Sequence, residues 1–187
     1  MRLFHYSEDP SIELFTPHLP EHRADVEPGV WAIDEWHSPL YYFPRQCPRI
    51  LLWQVPASTA ADIERFFHHS EARMLAHIEM CWLDAMHSTQ LYRYELPAET
   101  FEQRSADEWM PVSRETIEPL SVEPVGSLIE ALEAADVELR LMPSLLPLRD
   151  VWETSLHASG VRLRNAQGWN DDETTGAPPR PPVSRTI

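Results

Sequence analysis

From Val30 to Tyr42 the chain reads V-W-A-I-D-E-W-H-S-P-L-Y-Y, a short run that carries four aromatic rings. Trp31 and Tyr42 stand eleven positions apart in it, and the intervening residues suggest how they are presented. Val30 to Ile33 is apolar and β-prone, Asp34 to His37 breaks the run, and Ser38-Pro39 reads as an N-cap followed by proline at the first helical position. The prediction is a strand, a turn and a short helix through Tyr42. One ring at a strand edge and one a turn inside a helix can face each other across a slot. Such a slot holds a flat heterocycle by offset stacking, at roughly 0.5–1.5 kcal/mol per ring pair beyond burial. The competing role for the same two rings is ordinary core packing.

The elements around this run follow from periodicity. Arg2 to Tyr6 reads as a first strand with His5 at its carboxyl end, closed by Ser7-Glu8-Asp9-Pro10. Pro10 to Gly29, with four prolines, reads as a loop that packs in places. Ile50 to Val55 is a continuous apolar run expected to be a strand buried on both faces. Ser58 or Thr59 then caps what is expected to be one long helix to about Met86, on the spacing of Ile63, Phe66, Phe67, Met74, Ile78, Cys81, Trp82 and Met86. Gln90–Leu96, Glu108–Ser113, Ile117–Val122, Val137–Met142 and Val161–Leu163 are strand candidates, Pro111 fitting only at an edge or bulge. Pro124–Ala135 is an amphipathic helix and Leu145–Leu156 a weaker one. Residues 1–166 are expected to form a single α+β domain of mainly antiparallel strands, and 167–187 a disordered proline-rich tail.

Composition narrows the function classes. The 30 acids outnumber the 15 bases for a net charge of -15, and all the bases are arginine. An acidic field without a basic stripe disfavours nucleic acid as a partner. The small groups Arg45/Arg49 and Arg162/Arg164 suit a diphosphate or carboxylate better than a polymer, or serve as surface arginines in salt bridges. Two cysteines without a C-x-x-C spacing exclude a thiol-rich zinc site and point to a reducing cytoplasm. The opening M-R-L-F-H-Y-S-E-D-P is no signal peptide, and no apolar run approaches the ~20 residues of a membrane span. No metal site is expected: His18 and His22 have i,i+4 spacing, but Pro17 and Pro20 oppose a helix there. With five glycines and no G-x-G-x-x-G or G-x-x-x-x-G-K-[ST], a glycine cradle for phosphates is hardly possible, and the G-x-S-x-G and H-E-x-x-H motifs are absent.

Three separated pieces, His5-Tyr6-Ser7, then Trp31 with Asp34 and Tyr42, then Glu108-Trp109-Met110, together resemble the H-Y-E branch of the ADP-ribosyltransferases, that of diphtheria toxin and the poly-ADP-ribose polymerases. In that branch the pieces are a strand-ending histidine, two tyrosines eleven residues apart, and a glutamate opening a late strand. Trp31 stands here for the first tyrosine, Tyr6 for a small glycine, and Pro111 interrupts the strand after the glutamate. The resemblance implies a split antiparallel β-sandwich that binds NAD as substrate without a Rossmann motif. It casts His5 as the group bonding ribose hydroxyls, Trp31 and Tyr42 as the clamp on nicotinamide, and Tyr6, Ser7 and Asp34 as further cofactor contacts. Glu108 becomes the catalytic carboxylate. Breaking the ribose–nicotinamide bond builds positive charge at the anomeric carbon, which a nearby carboxylate stabilises. The activity implied is ADP-ribosyl transfer, or NAD hydrolysis if water is the acceptor; the alternative is a fold retained as an inactive NAD or ADP-ribose binder or interaction module. The chain as a whole also resembles a bacterial family with no assigned function.

Overall fold

The computed structural model describes residues 1–19, 27–103 and 109–170. In chain order the strands are β1 Leu3–Ser7, β2 Val30–Trp31, β3 Ile33–Asp34, β4 Arg49–Trp53, β5 Met74–Glu79, β6 Tyr92–Leu96, β7 Val112–Ser113, β8 Ser121–Pro124, β9 Val137–Met142 and β10 His157–Val161. The α-helices are α1 Ala60–Phe67, α2 Leu83–Ser88 and α3 Leu128–Ala134. The protein is of the α+β class, with two four-stranded sheets, a two-stranded ladder and short helices. Among the described residues no helix is long and apolar enough to cross a membrane. Two compact units emerge, Met1–Tyr42 with Gln90–Gly126, and Phe43–Thr89 with Ser127–Ile187.

The first unit is built on β1. Its sheet runs β3-β1-β6-β8, antiparallel throughout, with Leu3 opposite Asp34 on one side and His5 opposite Tyr94 on the other. The ladder of β2 and β7 pairs Trp31 with Val112. It closes tightly behind Gly29, where a Cβ would stand 2.2 Å from Val112 Cγ2, so a larger residue there would have to displace the Val112 side chain. Leu3, Phe15, Val30, Ala32, Tyr94, Leu96 and Ile117 form its core. Tyr94 is fully buried, and its hydroxyl donates to the Asp9 carbonyl at 2.6 Å while accepting from the Ile12 amide at 3.2 Å. That phenol ties the Pro10 loop to the sheet and satisfies its own polar atom, as burial demands.

The second unit holds the sheet β10-β4-β5-β9, in which β5 and β9 are parallel and the other pairs antiparallel. Every residue of β4 and β5 is buried. Ile50, Leu52 and Leu75 pack against Phe66 and Phe67 of α1 and against Leu145, Leu148, Val151 and Leu156. Thr59 caps α1 as expected, its side chain accepting from the Asp62 amide.

The expected long helix from Thr59 to Met86 is not formed. The α1 helix stops at Phe67, where Arg140 donates to the Phe66 carbonyl at 2.7 Å and His69 takes a left-handed φ of 63°. Met74 to Glu79 is then a central strand hydrogen-bonded to β4 and β9, and only Leu83–Ser88 returns to helix. A strand covered on both faces loses its alternation, so Met74 and Ile78 fall at helical spacing by coincidence. Leu145–Leu156, expected as a helix, forms two 3-10 turns, Leu146–Leu148 and Val151–Glu153. The last strand is His157–Val161, ahead of its expected place.

His77 lies in the middle of β5, buried, with Nδ1 donating to the Ile50 carbonyl at 3.3 Å. Burial pushes its pKa down to about 4, and the neighbouring Arg140 charge acts in the same direction. Because the folded pKa lies below the unfolded one, the neutral ring contributes stability that is complete above the unfolded pKa of ~6.5 and is lost as pH falls towards 4. Urea unfolding should show a loss of about 2 kcal/mol between pH 7.5 and pH 5 that His77→Gln abolishes. An unchanged pH slope in that variant would show that His77 is not the titrating group.

Candidate functional site

Successive residues of a strand face opposite sides of the sheet, and β1 divides its side chains accordingly. Leu3 points into the core of the first unit, and the His5 ring packs 4.7 Å from Phe15, which in turn meets Tyr94 edge-on. His5 Nδ1 lies 3.1 Å from the Trp31 carbonyl oxygen. Phe4 and Tyr6 face the other way. The Tyr6 ring meets Tyr42 edge-on at 5.4 Å and lies parallel to Tyr41, with 4° between the planes and 6.4 Å between centroids. The neighbouring strands follow the same rule, with Val30 and Ala32 in the core.

Phe4, Tyr6, Trp31 and Ile33 thus form one wall of a half-open recess, which Tyr41 and Met110 complete. His5 and Ala32, which alternate with them in sequence, also line it. The Tyr41 hydroxyl donates to Met110 Sδ at 3.4 Å. The recess has a volume of about 110 Å³. A dry cavity of about 150 Å³ takes one benzene ring, whereas sites that enclose a drug-sized ligand run to roughly 300–1,000 Å³. The recess can therefore enclose no more than a single flat ring, and any longer ligand must continue outside it. Among the described residues no acid lines it, and His5, whose ring packs on Phe15, is its one basic lining residue. Burial pushes the Tyr6 phenol's pKa up, so that ring stays neutral.

The remaining sequence-selected residues are placed as follows. Asp34 organises the turn before the aromatic pair: its Oδ1 accepts from the His37 amide at 2.8 Å, its Oδ2 lies 2.8 Å from His37 Nδ1, and its carbonyl accepts from Ser38 Oγ at 2.8 Å. Burial works to raise its pKa, but the bonds from His37 outweigh it and hold the carboxyl below its usual range. The oriented His37 ring stacks on Trp109 at 4.9 Å. Ser7 ends β1 in a turn, its Oγ accepting from the Asp9 amide at 3.1 Å. Glu108 lies outside the described residues, as do Asp107 and His22. The chain just beyond Glu108 runs along the site, since the Trp109 carbonyl accepts from the Asp34 amide, the Pro111 carbonyl accepts from the Ala32 amide, and Met110 lines the recess.

The structure brings together Tyr6, Trp31 and, at its edge, Tyr42, while Ser7 and Asp34 are engaged in turns. Sequence reasoning passed over Phe4, Ile33, Tyr41 and Met110. The first two were available from alternation, being two positions from Tyr6 and Trp31. Tyr41 was missed because the expected α-helix is a 3-10 turn, Ser38–Tyr41, which rotates each residue about 20° further round than an α-helix does. Tyr41, one position before the expected Tyr42, therefore reaches the recess.

The Asp34 turn is the local device that sets Tyr41 in place. Asp34→Ala removes its two side-chain contacts with His37 and should lower stability by about 1–2 kcal/mol, while Asp34→Asn, which keeps one acceptor, should cost less. Urea midpoints of the two variants test this, and equal losses would mean that the charge rather than the bonding matters.

No curated protein and no solved structure matches the chain. Residues 4–166, which include every residue lining the recess, match a family described as a family of unknown function (DUF6886), and the chain belongs to that family.

Proposed function

We propose that the recess receives the nicotinamide ring of NAD and that the protein transfers ADP-ribose from NAD to an acceptor, or to water as an NAD glycohydrolase, on an ADP-ribosyltransferase-like fold. The observation that carries this reading is the recess itself: half-open, no larger than one ring, walled by Phe4, Tyr6, Trp31 and Tyr41, and set against β1 and the segment that follows Glu108. Aromatic walls without fixed charge suit a flat heterocycle. In the reaction the ribose C1′–nitrogen bond breaks and its electron pair returns to the nicotinamide ring. The acceptor oxygen or nitrogen bonds to C1′ and releases its proton to solvent. Positive charge gathers on the ribose on the way, and the carboxylate assigned to offset it is Glu108.

A second reading, an NAD or ADP-ribose binder without turnover, is favoured by one observation. The His5 ring packs on Phe15, and Tyr6 presents its ring to the recess instead. The two readings part on nicotinamide release. An active protein releases nicotinamide from NAD, and Glu108→Gln lowers the rate by about 10²-fold or more with NAD affinity nearly unchanged, while Asp107→Asn has little effect. Equal losses in both variants would reassign the carboxylate. Binding of NAD with no release by wild type selects the binder, and no binding of NAD removes both readings.

A further inference from the structure

A ring-sized recess leaves the rest of a dinucleotide to be held elsewhere, and the first unit places two guanidinium groups at its wall. Arg2 Cζ lies 4.9 Å and Arg93 Cζ 5.1 Å from the centroid of the Phe4 ring. The two arginines differ in how far they are already committed. Arg2 binds Glu95 through two nitrogens, at 3.0 and 2.8 Å, and reaches Glu35 at 3.1 Å. Arg93 pairs with Glu123 at 2.8 Å, with side-chain exposures of 32% and 59%, and its charge also acts on Glu95. With the Glu123 side chain more than half exposed, water screens that pair and lets the carboxylate be exchanged.

Arg93 is also on the correct side of the sheet. It sits directly opposite Tyr6 in the β1–β6 pairing, so the two side chains share the face that forms the recess. Its charge acts on the phenols of both Tyr6 and Tyr42. A planar guanidinium beside an aromatic slot is the arrangement that holds a phosphate while the slot holds the attached ring, since its fork donates two parallel bonds to phosphate oxygens.

We infer that Arg93 is the anion-binding residue of this site, exchanging Glu123 for the diphosphate of a ligand whose ring enters the recess. The inference rests on the NAD reading for its ligand, but not for its chemistry.

The test is titration calorimetry at one fixed salt concentration on wild type, Arg93→Gln, Arg2→Gln and Glu123→Gln. The ligands are NAD, nicotinamide riboside, which lacks phosphate, and inorganic pyrophosphate. Arg93→Gln should weaken NAD roughly tenfold to a hundredfold, the scale of a lost hydrogen bond to a charged group, and leave nicotinamide riboside unchanged. Glu123→Gln, which removes the competing carboxylate at an exposed position, should tighten NAD. Arg2→Gln, which loses a guanidinium beside Phe4 but not the one opposite Tyr6, should weaken NAD less than Arg93→Gln does. An equal loss for NAD and the riboside, an equal loss in Arg2→Gln, or unchanged NAD affinity in Arg93→Gln would overturn the assignment. Should Arg93→Gln fail to fold, the Glu123→Gln result decides, and no tightening there refutes it. If wild type binds neither NAD nor the riboside, the NAD reading falls and pyrophosphate decides. Binding by wild type and Glu123→Gln but not Arg93→Gln keeps the anion site, and no binding by wild type removes it.

Discussion

The first unit depends on the two-residue period of β1, held between β3 and β6. Pairing on both sides locks the register, and a slip of one residue would exchange the two faces. In the locked register Leu3 and His5 close the core, while Phe4 and Tyr6 are left to make a concave surface. Trp31 and Ile33 are drawn to the same surface from β2 and β3, and Arg93 from β6. The recess is thus a product of pairing geometry, with one further contribution from the turn that Asp34 organises.

That turn shows how a single acid can set several rings. Asp34 fixes His37, His37 stacks on Trp109, and Ser38 anchors the start of the 3-10 turn by bonding back to the Asp34 carbonyl. Tyr41 arrives at the recess as the last residue of this short chain of contacts. An acid in this place has a positional role, while the uncharged lining of the recess remains intact.

Much of the fold was legible where one physical signal dominated. The apolar run of β4 and the alternation of β6 and β9 each specified their element, the cap expected at Ser58 or Thr59 marked where α1 begins, and the aromatic run 30–42 holds Trp31 and Tyr41 of the recess. The helix drawn through Met74 and Ile78 failed because a strand buried on both faces carries no period of its own. The assignment of His5 to the ligand side could be made only by knowing which neighbours β1 has. Phe15 and Tyr94 are ten and 89 positions away in sequence, and their contact with that face is what takes up His5. The step from Tyr42 to Tyr41 required the helix type, which Ser38-Pro39 does not distinguish.

The connectivity of the two units has a consequence for how the chain is made. Each unit is assembled from two stretches, and the chain passes from one unit to the other after Tyr42, after Thr89 and after Gly126. No fragment cut at a single point contains the second unit alone, and the first becomes complete only when β8 has been synthesised. As the chain leaves the ribosome, β1 meets β3 early but must wait for Tyr92–Leu96, with the first half of the second unit emerging in between. Through that interval the edge of β1 that later pairs with β6 leaves its backbone groups open, the kind of edge that pairs with other chains, and Phe4 and Tyr6 have yet to receive β6 beside them.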